Sequence, residues 1–129
     1  MSSLFDKSID VLSKTMDLCL VRHAVVSDNI ANAETPMFKA RRVEFEGELQ
    51  RAVEMSASGV NGSESALSGV QPRVYEDPLS ERGQDLNTVD MDREMADLTK
   101  NDIKYSALTQ AVSKKFALLK YAITGGGGQ

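Results

Sequence analysis

The apolar positions of the chain form two long patterns with a period near 3.5 residues, one at each end. The first covers residues 5–33, where mostly apolar or small side chains recur at alternating steps of four and three. Its positions are Phe5, Ile9, Leu12, Met16, Cys19, His23, Val26, Ile30 and Ala33. Such a period favours packing against a partner helix with left-handed supercoiling. The pattern predicts an N-terminal helix within residues 1–35, which must end before Pro36 because proline moves the preceding residue out of the α region.

The second pattern lies at the C-terminal end and repeats the same steps. Its positions are Met91, Met95, Leu98, Asp102, Tyr105, Leu108, Val112, Phe116, Leu119 and Ile123. Asp90 is the predicted N-cap, and the acidic residues that follow it favour the positive end of the helix dipole. Lysines near the other end, followed by "TGGGGQ", indicate where the helix stops. We expect a C-terminal helix within residues 87–124 and a glycine-rich tail over residues 125–129.

The middle of the chain, residues 36–86, differs in kind. The stretch "FEGELQRAVEM" has apolar residues at helical spacing and predicts one short helix. Residues 56–69 are rich in serine and glycine, and they bury too little apolar area to offset their ordering entropy, which predicts a flexible insert. The stretch "VQPRVY" predicts a short extended segment that Pro72 restricts to a sheet edge. The residues after it are rich in turn formers.

Together these segments predict a single all-α domain, in which the long terminal helices pair as an antiparallel, coiled-coil-like hairpin. Such a hairpin buries one apolar stripe of each helix, and a core of fewer than about 70–80 ordered residues supplies only a few kcal/mol. We therefore expect the chain to be ordered mainly within an assembly. The residues predicted to pack along the helix seam are Leu12, Met16, Cys19, Val26, Ile30, Leu98, Tyr105, Val112, Phe116 and Leu119.

Charge and composition argue against several classes of function. The 129 residues carry a net charge of −4 at pH 7, whereas binding to nucleic acid needs clustered Lys and Arg. Cys19 is the single cysteine, so no intrachain disulfide can form. The N-terminal segment lacks the charged and apolar regions of a secretory signal. No apolar run in the sequence has the length expected of a transmembrane helix.

No group of residues assembles a convincing catalytic or metal site. His23, the only histidine, lies on the seam of the first helix and is interpreted as a packed or partly exposed seam residue. Cys19 is interpreted as a small buried hydrophobe. The stretch "DMDRE", residues 90–94, superficially resembles a calcium loop, but Met95 stands where the EF-hand pattern requires glycine. We predict no catalytic residue, no cofactor, no metal, no small-molecule substrate and no nucleic-acid partner.

The stretch "KKFALLKYAI" near the C-terminus leaves an alternative open. Its basic and amphipathic character would suit the surface of an anionic membrane. The seam that begins at Met91 continues through this stretch without a break, however. Packing against protein is therefore the favoured interpretation of these residues.

The stretch "NIANAETPMFK", residues 29–39, resembles the N-terminal signature of the axial proteins of the bacterial flagellum, the rod and hook family. That signature typically reads N-I-A-N-x-x-T-P-G-Y-K. Met37 replaces its glycine and Phe38 replaces its tyrosine. The C-terminal segment and the short length look like those of the proximal rod members of the family. The predicted assembly-motif residues are Asn29, Ile30, Ala31, Asn32, Thr35, Pro36, Phe38 and Lys39.

This resemblance implies a structural subunit of the proximal rod of the flagellar basal body. Such subunits assemble through their terminal helices into the tubular drive shaft that transmits torque and encloses the export channel. The implied partners are other copies of the chain, other rod proteins, a basal adaptor, components of the membrane ring and export gate, and the flagellar type III export apparatus. Export by that apparatus would need no cleaved signal peptide and would place the protein in the rod that spans the periplasm.

The motif also has a physical interpretation. Ala31 and Ala33 are small enough to let a neighbouring subunit approach the end of the helix closely. The amides of Asn29 and Asn32 can pair with the last carbonyls of the helix or with an adjacent subunit. The Thr-Pro pair that follows would redirect the chain outward.

Two other classes of function compete with a rod subunit. A cytosolic helical adaptor or export chaperone could use the same two-helix hairpin, and it would form a small, defined oligomer rather than a polymer. An enzyme is the weakest alternative, because no nucleophile and base can be paired from these residues.

Overall fold

Two long helices dominate the fold, and they flank a smaller segment that mixes helix and strand. The computed structural model describes residues 2–59 and 63–125. The elements in chain order are α1 (Ser2–Ala31), β1 (Arg41–Glu44), α2 (Glu46–Ala57), α3 (Ser63–Ser68), β2 (Arg73–Glu76) and α4 (Met91–Ile123). The predicted glycine-rich tail beyond Gly125 and residues 60–62 of the predicted flexible insert lie outside the described residues.

The helices α1 and α4 pack against each other along most of their length and run antiparallel. The Nδ2 of Asn101 donates to the backbone oxygen of Cys19 at 2.8 Å. One turn further along α1, His23 Nδ1 and Asp102 Oδ1 lie 3.2 Å apart. Near the other end of α4, the Lys115 ammonium lies 5.3 Å from the centre of the Phe5 ring. The predicted pairing of two long terminal helices is therefore confirmed.

Both ends of α4 carry the caps that the sequence indicates. The side chain of Asp90 accepts a hydrogen bond from the backbone N–H of Arg93, as an N-cap residue does. At the other end, Gly125 adopts a φ of 75°, the left-handed conformation in which glycine commonly ends a helix. α1 ends earlier than Pro36 requires, at Ala31.

The all-α prediction is only approximate, because β1 and β2 form a two-stranded antiparallel sheet. Val43 pairs with Val74, and Arg41 pairs with Glu76. The sequence indicated β2 as an extended segment but did not reveal its partner strand. β1 begins directly after a turn. Its basic residues obscure the strand pattern in the sequence, although Val43 faces inward and is 8% exposed.

The prediction that residues 56–69 form only a flexible insert is also wrong in part. Residues 63–68 form α3, and Leu67 is buried. Val70, which follows this helix, is buried as well. These two apolar residues bring the segment back onto the core, because burying each such side chain contributes about 1.5–3 kcal/mol.

The hydrophobic core lies between α1 and the middle segment rather than along the α1–α4 seam alone. Val11, Leu18 and Val25 are spaced by seven residues and form a second apolar face of α1, which packs against β1, α2 and α3. The buried members of this core are Leu18, Cys19, Val25, Val43, Phe45, Ala52, Leu67 and Val70. α1 is therefore apolar on two faces, and the sequence analysis identified only one of them.

Candidate assembly site

The turn after α1 is held by its own polar side chains. The Nδ2 of Asn32 donates to the backbone oxygen of Asp28 at 2.8 Å, and this carbonyl lies in the last turn of the helix. The Thr35 hydroxyl donates to the Asn32 Oδ1 at 3.1 Å. The backbone N–H of Thr35 donates to the Asn32 oxygen at 3.0 Å. Asn32 therefore closes the end of α1 and starts the turn that follows.

Asn29 joins three elements from a fully buried position at the end of α1. Its Oδ1 accepts the backbone N–H of Arg41 at 3.0 Å, and its Nδ2 donates to the backbone oxygen of the same residue at 2.8 Å. The Nδ2 also lies 3.0 Å from Glu94 Oε2 in the first turn of α4. The amide thus pairs with β1 as a neighbouring strand would, and it links β1 and α4 to α1.

The loop between β2 and α4, residues 77–90, lies over the motif turn and is called the 77–90 loop below. The Nδ2 of Asn87 donates to the backbone oxygens of Asn32 at 2.9 Å and Thr35 at 2.7 Å. The Thr88 hydroxyl accepts the backbone N–H of Ala40 at 2.8 Å. Asn87 and Thr88 are both buried. The motif turn and this loop therefore form one hydrogen-bonded unit.

Met37 occupies a backbone conformation that usually belongs to glycine. Its φ is 65°, and its N–H donates to the backbone oxygen of Asp85 at 2.9 Å. The next residue of the 77–90 loop, Leu86, also has a positive φ, 62°. Both side chains are exposed. The glycine of the flagellar signature therefore corresponds to a real left-handed position, which methionine fills here.

Replacing Met37 with glycine is expected to stabilise the isolated chain. Removing the strain of the left-handed conformation raises the free energy of unfolding by about 1–2 kcal/mol. The greater freedom of glycine in the unfolded chain lowers it by about 0.5–1 kcal/mol. The net gain should be about 0.5–1 kcal/mol, since φ is positive here. Urea unfolding measures it. Met37→Ile is the control, because a β-branched side chain tolerates this conformation poorly. A Met37→Ile variant as stable as Met37→Gly would contradict the assignment of strain.

A buried ionic cluster lies behind the motif and connects β1 to α4. The Nη2 of Arg42 lies 2.7 Å from Glu94 Oε1, and its Nε lies 2.8 Å from Asp77 Oδ2. Asp97 lies 3.3 Å from its Nη1, and Arg93 lies 2.7 Å from Asp77. The side chains of Arg42, Asp77 and Glu94 are 10%, 3% and 0% exposed. This cluster is called the Arg42 cluster below.

The charges of the Arg42 cluster stabilise one another against burial. Burial acts against the charged form of Asp77, but hydrogen bonds from Arg42 and from the backbone N–H of Leu79, together with the charge of Arg93, outweigh it and lower the pKa of the carboxyl. Burial also opposes the charge on Arg42, and its bonds to Glu94 and Asp77 raise its pKa nevertheless. Asp77 and Arg42 therefore stay ionised at neutral pH.

A second ion pair fixes the start of α2 against α1. Arg22 donates to the backbone oxygen of Val43 at 2.8 Å, pairs with Glu46 at 2.6 Å and lies 4.4 Å from the centre of the buried Phe45 ring. Burial opposes the charged form of Glu46, but the bonds from Arg22 and from the N–H groups of Phe45 and Glu46 outweigh it and lower its pKa to about 2.

Acid is therefore expected to destabilise the chain partly through Glu46. Its folded-state pKa of about 2 lies below its ordinary value of 4.5, so it stabilises the folded state above pH 4.5 and loses this contribution as the pH falls toward 2. The Glu46 side chain is half exposed, so the effect is below about 1 kcal/mol. The free energy of unfolding, measured with urea, should fall less between pH 4.5 and pH 2 in Glu46→Gln than in the wild type. Glu48→Gln, on the same helix, should retain the wild-type pH dependence.

The predicted assembly-motif residues divide between the interior and the surface. Asn29 is buried, and Ile30, Asn32 and Phe38 are half-buried. The exposed ones are Ala31, Thr35, Pro36 and Lys39, and Lys39 lies 3.5 Å from Glu76. Their contacts within the chain organise the turn. A contact of these residues with another subunit stays a prediction.

The predicted seam residues follow a gradient of burial. Cys19 and Val26 are buried. Six others are half-buried. Five of them lie on α1 or in the first half of α4, namely Leu12, Met16, Ile30, Leu98 and Tyr105, and the sixth, Val112, lies further along α4. Phe116 and Leu119 are exposed. The last turns of α4 therefore have apolar side chains without a covering helix among the described residues.

The residues that join distant segments were not predicted from the sequence. Asp77 and Glu94 were interpreted only as part of a turn-rich stretch and of an acidic helix start, and neither Arg42 nor Asn87 was singled out. The available signal was Glu94 at a position facing the end of α1, where a charged side chain would need a partner. The described part of the chain contains no group of three acidic, His or Cys side chains suited to hold a metal ion. None of its helices could span a membrane.

Curated proteins similar to this chain share one description. A flagellar basal body rod protein FlgB of Borrelia hermsii is 34% identical over 94% of this chain and 98% of its own length. The FlgB protein of Bacillus subtilis is 32% identical over 96% of this chain and 98% of its own length. That of Yersinia enterocolitica is 36% identical over 78% of this chain and 81% of its own length. No protein-family profile matches.

Proposed function

The chain belongs to the family of flagellar basal body rod proteins called FlgB, and on this premise we propose that it is a structural subunit of the rod that assembles through its terminal helices. In this role it helps to build the tubular shaft that transmits torque and encloses the export channel. No enzymatic activity belongs to the proposal, since the relatives are named as rod proteins.

The observation that carries the proposal is the apolar end of α4. Lys115 lies beside Phe5, so the last turn of α4 extends past Ser2, the first described residue of α1. Leu118, Tyr121 and Ile123 are 64%, 58% and 76% exposed; Leu118 and Tyr121 are neighbours on one face of the helix, and Ile123 lies on another side. Large exposed apolar side chains that are grouped at one helix end mark a surface for contact with another protein. In a rod, neighbouring subunits would cover it.

The partners and location follow from the same premise. Other copies of the chain and other rod proteins would contact the terminal helices. A basal adaptor, the membrane ring and the export gate would lie at the base of the rod, and the flagellar type III apparatus would export the unfolded chain without a cleaved signal. The rod would hold the protein in the periplasm-spanning part of the basal body. The motif residues from Asn29 to Lys39 would contribute to assembly by presenting the rigid turn and the 77–90 loop to a neighbour.

Incorporation into basal bodies tests the proposal. In a strain that lacks the gene, the wild-type chain should restore swimming and be present in isolated basal bodies. The double variant Leu118→Gln/Tyr121→Gln should be folded, because exposed substitutions change stability by only about 0.5 kcal/mol, yet it should fail to be incorporated. Met55→Gln changes another exposed apolar residue, on α2, and should behave as wild type.

The alternative functions give different results in that experiment. A cytosolic adaptor or export chaperone would restore swimming while it remained in the cytosol and absent from purified basal bodies. A wild-type chain absent from basal bodies would therefore contradict the proposal. An active double variant, incorporated at the wild-type level, would contradict the role of the α4 end.

A further inference from the structure

A groove with a volume of about 510 Å³ lies between α4 and the two-stranded sheet, and we call it the α4–sheet groove. Tyr75 lines it from the sheet, Lys100 and Lys104 line it from α4, and the buried Val26 and Val43 line it as well. This volume is typical of a site that binds a small ligand or a short piece of a chain. The lining includes neither the motif turn nor the exposed end of α4.

The α4–sheet groove is cationic, although the chain has a net charge of −4. Three carboxylates line it, and each already has an arginine partner. Glu46 pairs with Arg22, and Asp77 and Asp97 pair with Arg42. Six basic side chains line the same groove; they are Arg22, Arg41, Arg42, Arg93, Lys100 and Lys104. Positive charge therefore exceeds negative charge in the lining by three.

Lys100 and Lys104 have no carboxylate partner among the described residues. The Lys104 ammonium lies 5.3 Å from the centre of the Phe45 ring. Asp97, one turn before Lys100, lies 3.3 Å from Arg42. The two lysines are four residues apart on one face of α4, which separates them by about 6 Å along the helix axis. Like charges at this spacing repel each other, so an anionic group bound between them is favoured.

Asn101 adds an unpaired acceptor between the two lysines. It lines the groove and is 4% exposed. Its Nδ2 donates to the backbone oxygen of Cys19 at 2.8 Å, whereas its Oδ1 accepts no hydrogen bond from the described residues. A buried acceptor without a donor is unfavourable. Ionised carboxylates offer only acceptors, but a peptide backbone carries an N–H group that suits this oxygen.

Apolar side chains line the part of the groove that β2 and the 77–90 loop form. They are Tyr75, Pro78 and Leu79, and Leu79 is 80% exposed. Successive side chains of an extended segment point to opposite sides, and alternate ones are about 6.6 Å apart. This repeat is close to the spacing of Lys100 and Lys104. A segment with carboxylates at alternate positions and an apolar residue between them therefore matches both sides of the groove.

We propose that the α4–sheet groove binds an extended, acidic segment of a different protein. Its alternate carboxylates pair with Lys100 and Lys104, a backbone N–H donates to Asn101, and an apolar side chain packs against Leu79. The proposal deepens the proposed function and rests on it for the setting in which the partner is met. It names the chemistry of a partner that binds away from the exposed end of α4.

A second copy of the chain does not offer such a segment. Acidic residues alternate with other residues at positions 44–48 and 90–94. Both stretches lie at the start of a helix, α2 or α4. In the first, Phe45 is buried and Glu46 already pairs with Arg22. In the second, Asp90 caps α4 and Glu94 is buried beside Arg42.

Binding of a synthetic peptide to the full chain tests the groove. The probe is the pentapeptide Glu-Leu-Glu-Leu-Glu with blocked ends, and the control peptide has glutamine in place of every glutamate. In amide NMR spectra the acidic peptide should cause saturable shifts at Lys100, at Lys104 and at the side-chain amide of Asn101. Added salt should weaken this binding. The control peptide should bind about tenfold more weakly, as expected for the loss of two ion pairs.

Two results of this titration would overturn the proposal. One is the absence of a saturable shift at millimolar acidic peptide, and the other is equal binding of the two peptides. Inorganic phosphate tests a small anion as the ligand instead. It should bind more weakly than the acidic peptide and leave the side-chain amide of Asn101 unchanged. Phosphate that binds more tightly and displaces the peptide would assign the groove to a small anion.

Variants of the chain locate the contact. Lys100→Gln/Lys104→Gln should bind the acidic peptide about tenfold more weakly than the wild type, with an unchanged circular dichroism spectrum. Lys114→Gln/Lys120→Gln removes the same charge from the same helix and should bind as the wild type does. Leu79→Gln changes an exposed residue with little effect on the fold, and it should weaken binding while the salt dependence remains. Equal losses in the two lysine variants would contradict a specific site.

Coupling by a carbodiimide in isolated basal bodies identifies the partner, because this reagent joins carboxylates to neighbouring lysines. Mass spectrometry should find Lys100 or Lys104 joined to a different protein, within a segment whose acidic residues alternate. A link to a second copy of the chain, or none although the chain is present, would overturn the proposal and leave the rod function intact. A chain absent from basal bodies would overturn the rod function, while the peptide titration would still decide the groove.

Discussion

Replacing Arg42 with methionine is expected to lower the free energy of unfolding by about 3–5 kcal/mol, because the change leaves buried carboxylates without their partner. The side chain of Glu94 is fully buried, and that of Asp77 is 3% exposed. Arg42 bonds to both of them, with N–O distances of 2.7 and 2.8 Å. Methionine fills a similar volume but offers neither charge nor donors. Urea unfolding followed by far-ultraviolet circular dichroism measures the loss.

The neighbouring residue provides a matched control. Arg41 lies on the same strand and pairs with Asp28, but both side chains are more than two fifths exposed. Arg41→Met should therefore change the free energy of unfolding by less than about 1 kcal/mol, as is usual for surface ion pairs. The double variant Arg42→Met/Glu94→Met should recover part of the loss, because it removes both charges. Equal effects of Arg41→Met and Arg42→Met would contradict the role of burial.

The contacts of Arg42 hold β1 and the 77–90 loop to α4. Arg42 lies on β1, Asp77 begins the 77–90 loop, and Glu94 lies in the first turn of α4. One side chain therefore joins three segments that are distant in sequence. Since its partners are buried, separating any of these segments from the others leaves a buried charged side chain without its partner or exposes it to solvent. The motif turn is thereby fixed relative to both long helices.

The long helices were predictable because their signals are local. The heptad pattern, the Asp90 cap and the glycine after α4 act over a few residues, and the structure confirms both long helices, the Asp90 cap and the left-handed conformation of Gly125. Strand β1 was not predictable in this way. Its pairing with β2 joins residues 29 to 35 positions apart, and its inward-facing Val43 lies between charged residues. The second apolar face of α1 at Leu18 was missed because the first face already explained a helix.

The motif was recognisable from the sequence, but the roles of its residues were not. Asn29 and Asn32 appeared equivalent, since each could pair with backbone carbonyls or with a neighbour. Burial separates them, because Asn29 is fully buried and Asn32 is half-buried. Only the fold reveals that the amide of Asn29 faces both backbone groups of Arg41. The left-handed backbone at Met37 was implied only by the glycine of the resembling signature.

Asn29→Leu is expected to be the most damaging substitution within the motif, with a loss of about 3 kcal/mol or more. Leucine has nearly the same shape but leaves the backbone N–H and oxygen of Arg41 without partners, and each unsatisfied buried group costs about 1–3 kcal/mol. The Glu94 carboxylate loses one donor as well. The variant should unfold at lower urea concentration and be absent from basal bodies, because the turn is no longer fixed to α4.

Asn32→Leu separates stability from assembly. The Asn32 amide donates to the last turn of α1 and accepts from Thr35 near the surface, so its loss should cost only about 1 kcal/mol. If the motif turn is an assembly surface, Asn32→Leu should retain its helicity yet fail to enter basal bodies, whereas Asn29→Leu should lose stability and incorporation together. Equal losses of stability in the two variants would contradict the distinction that burial makes between them. Normal swimming of Asn32→Leu would show that the motif serves the fold of the subunit alone.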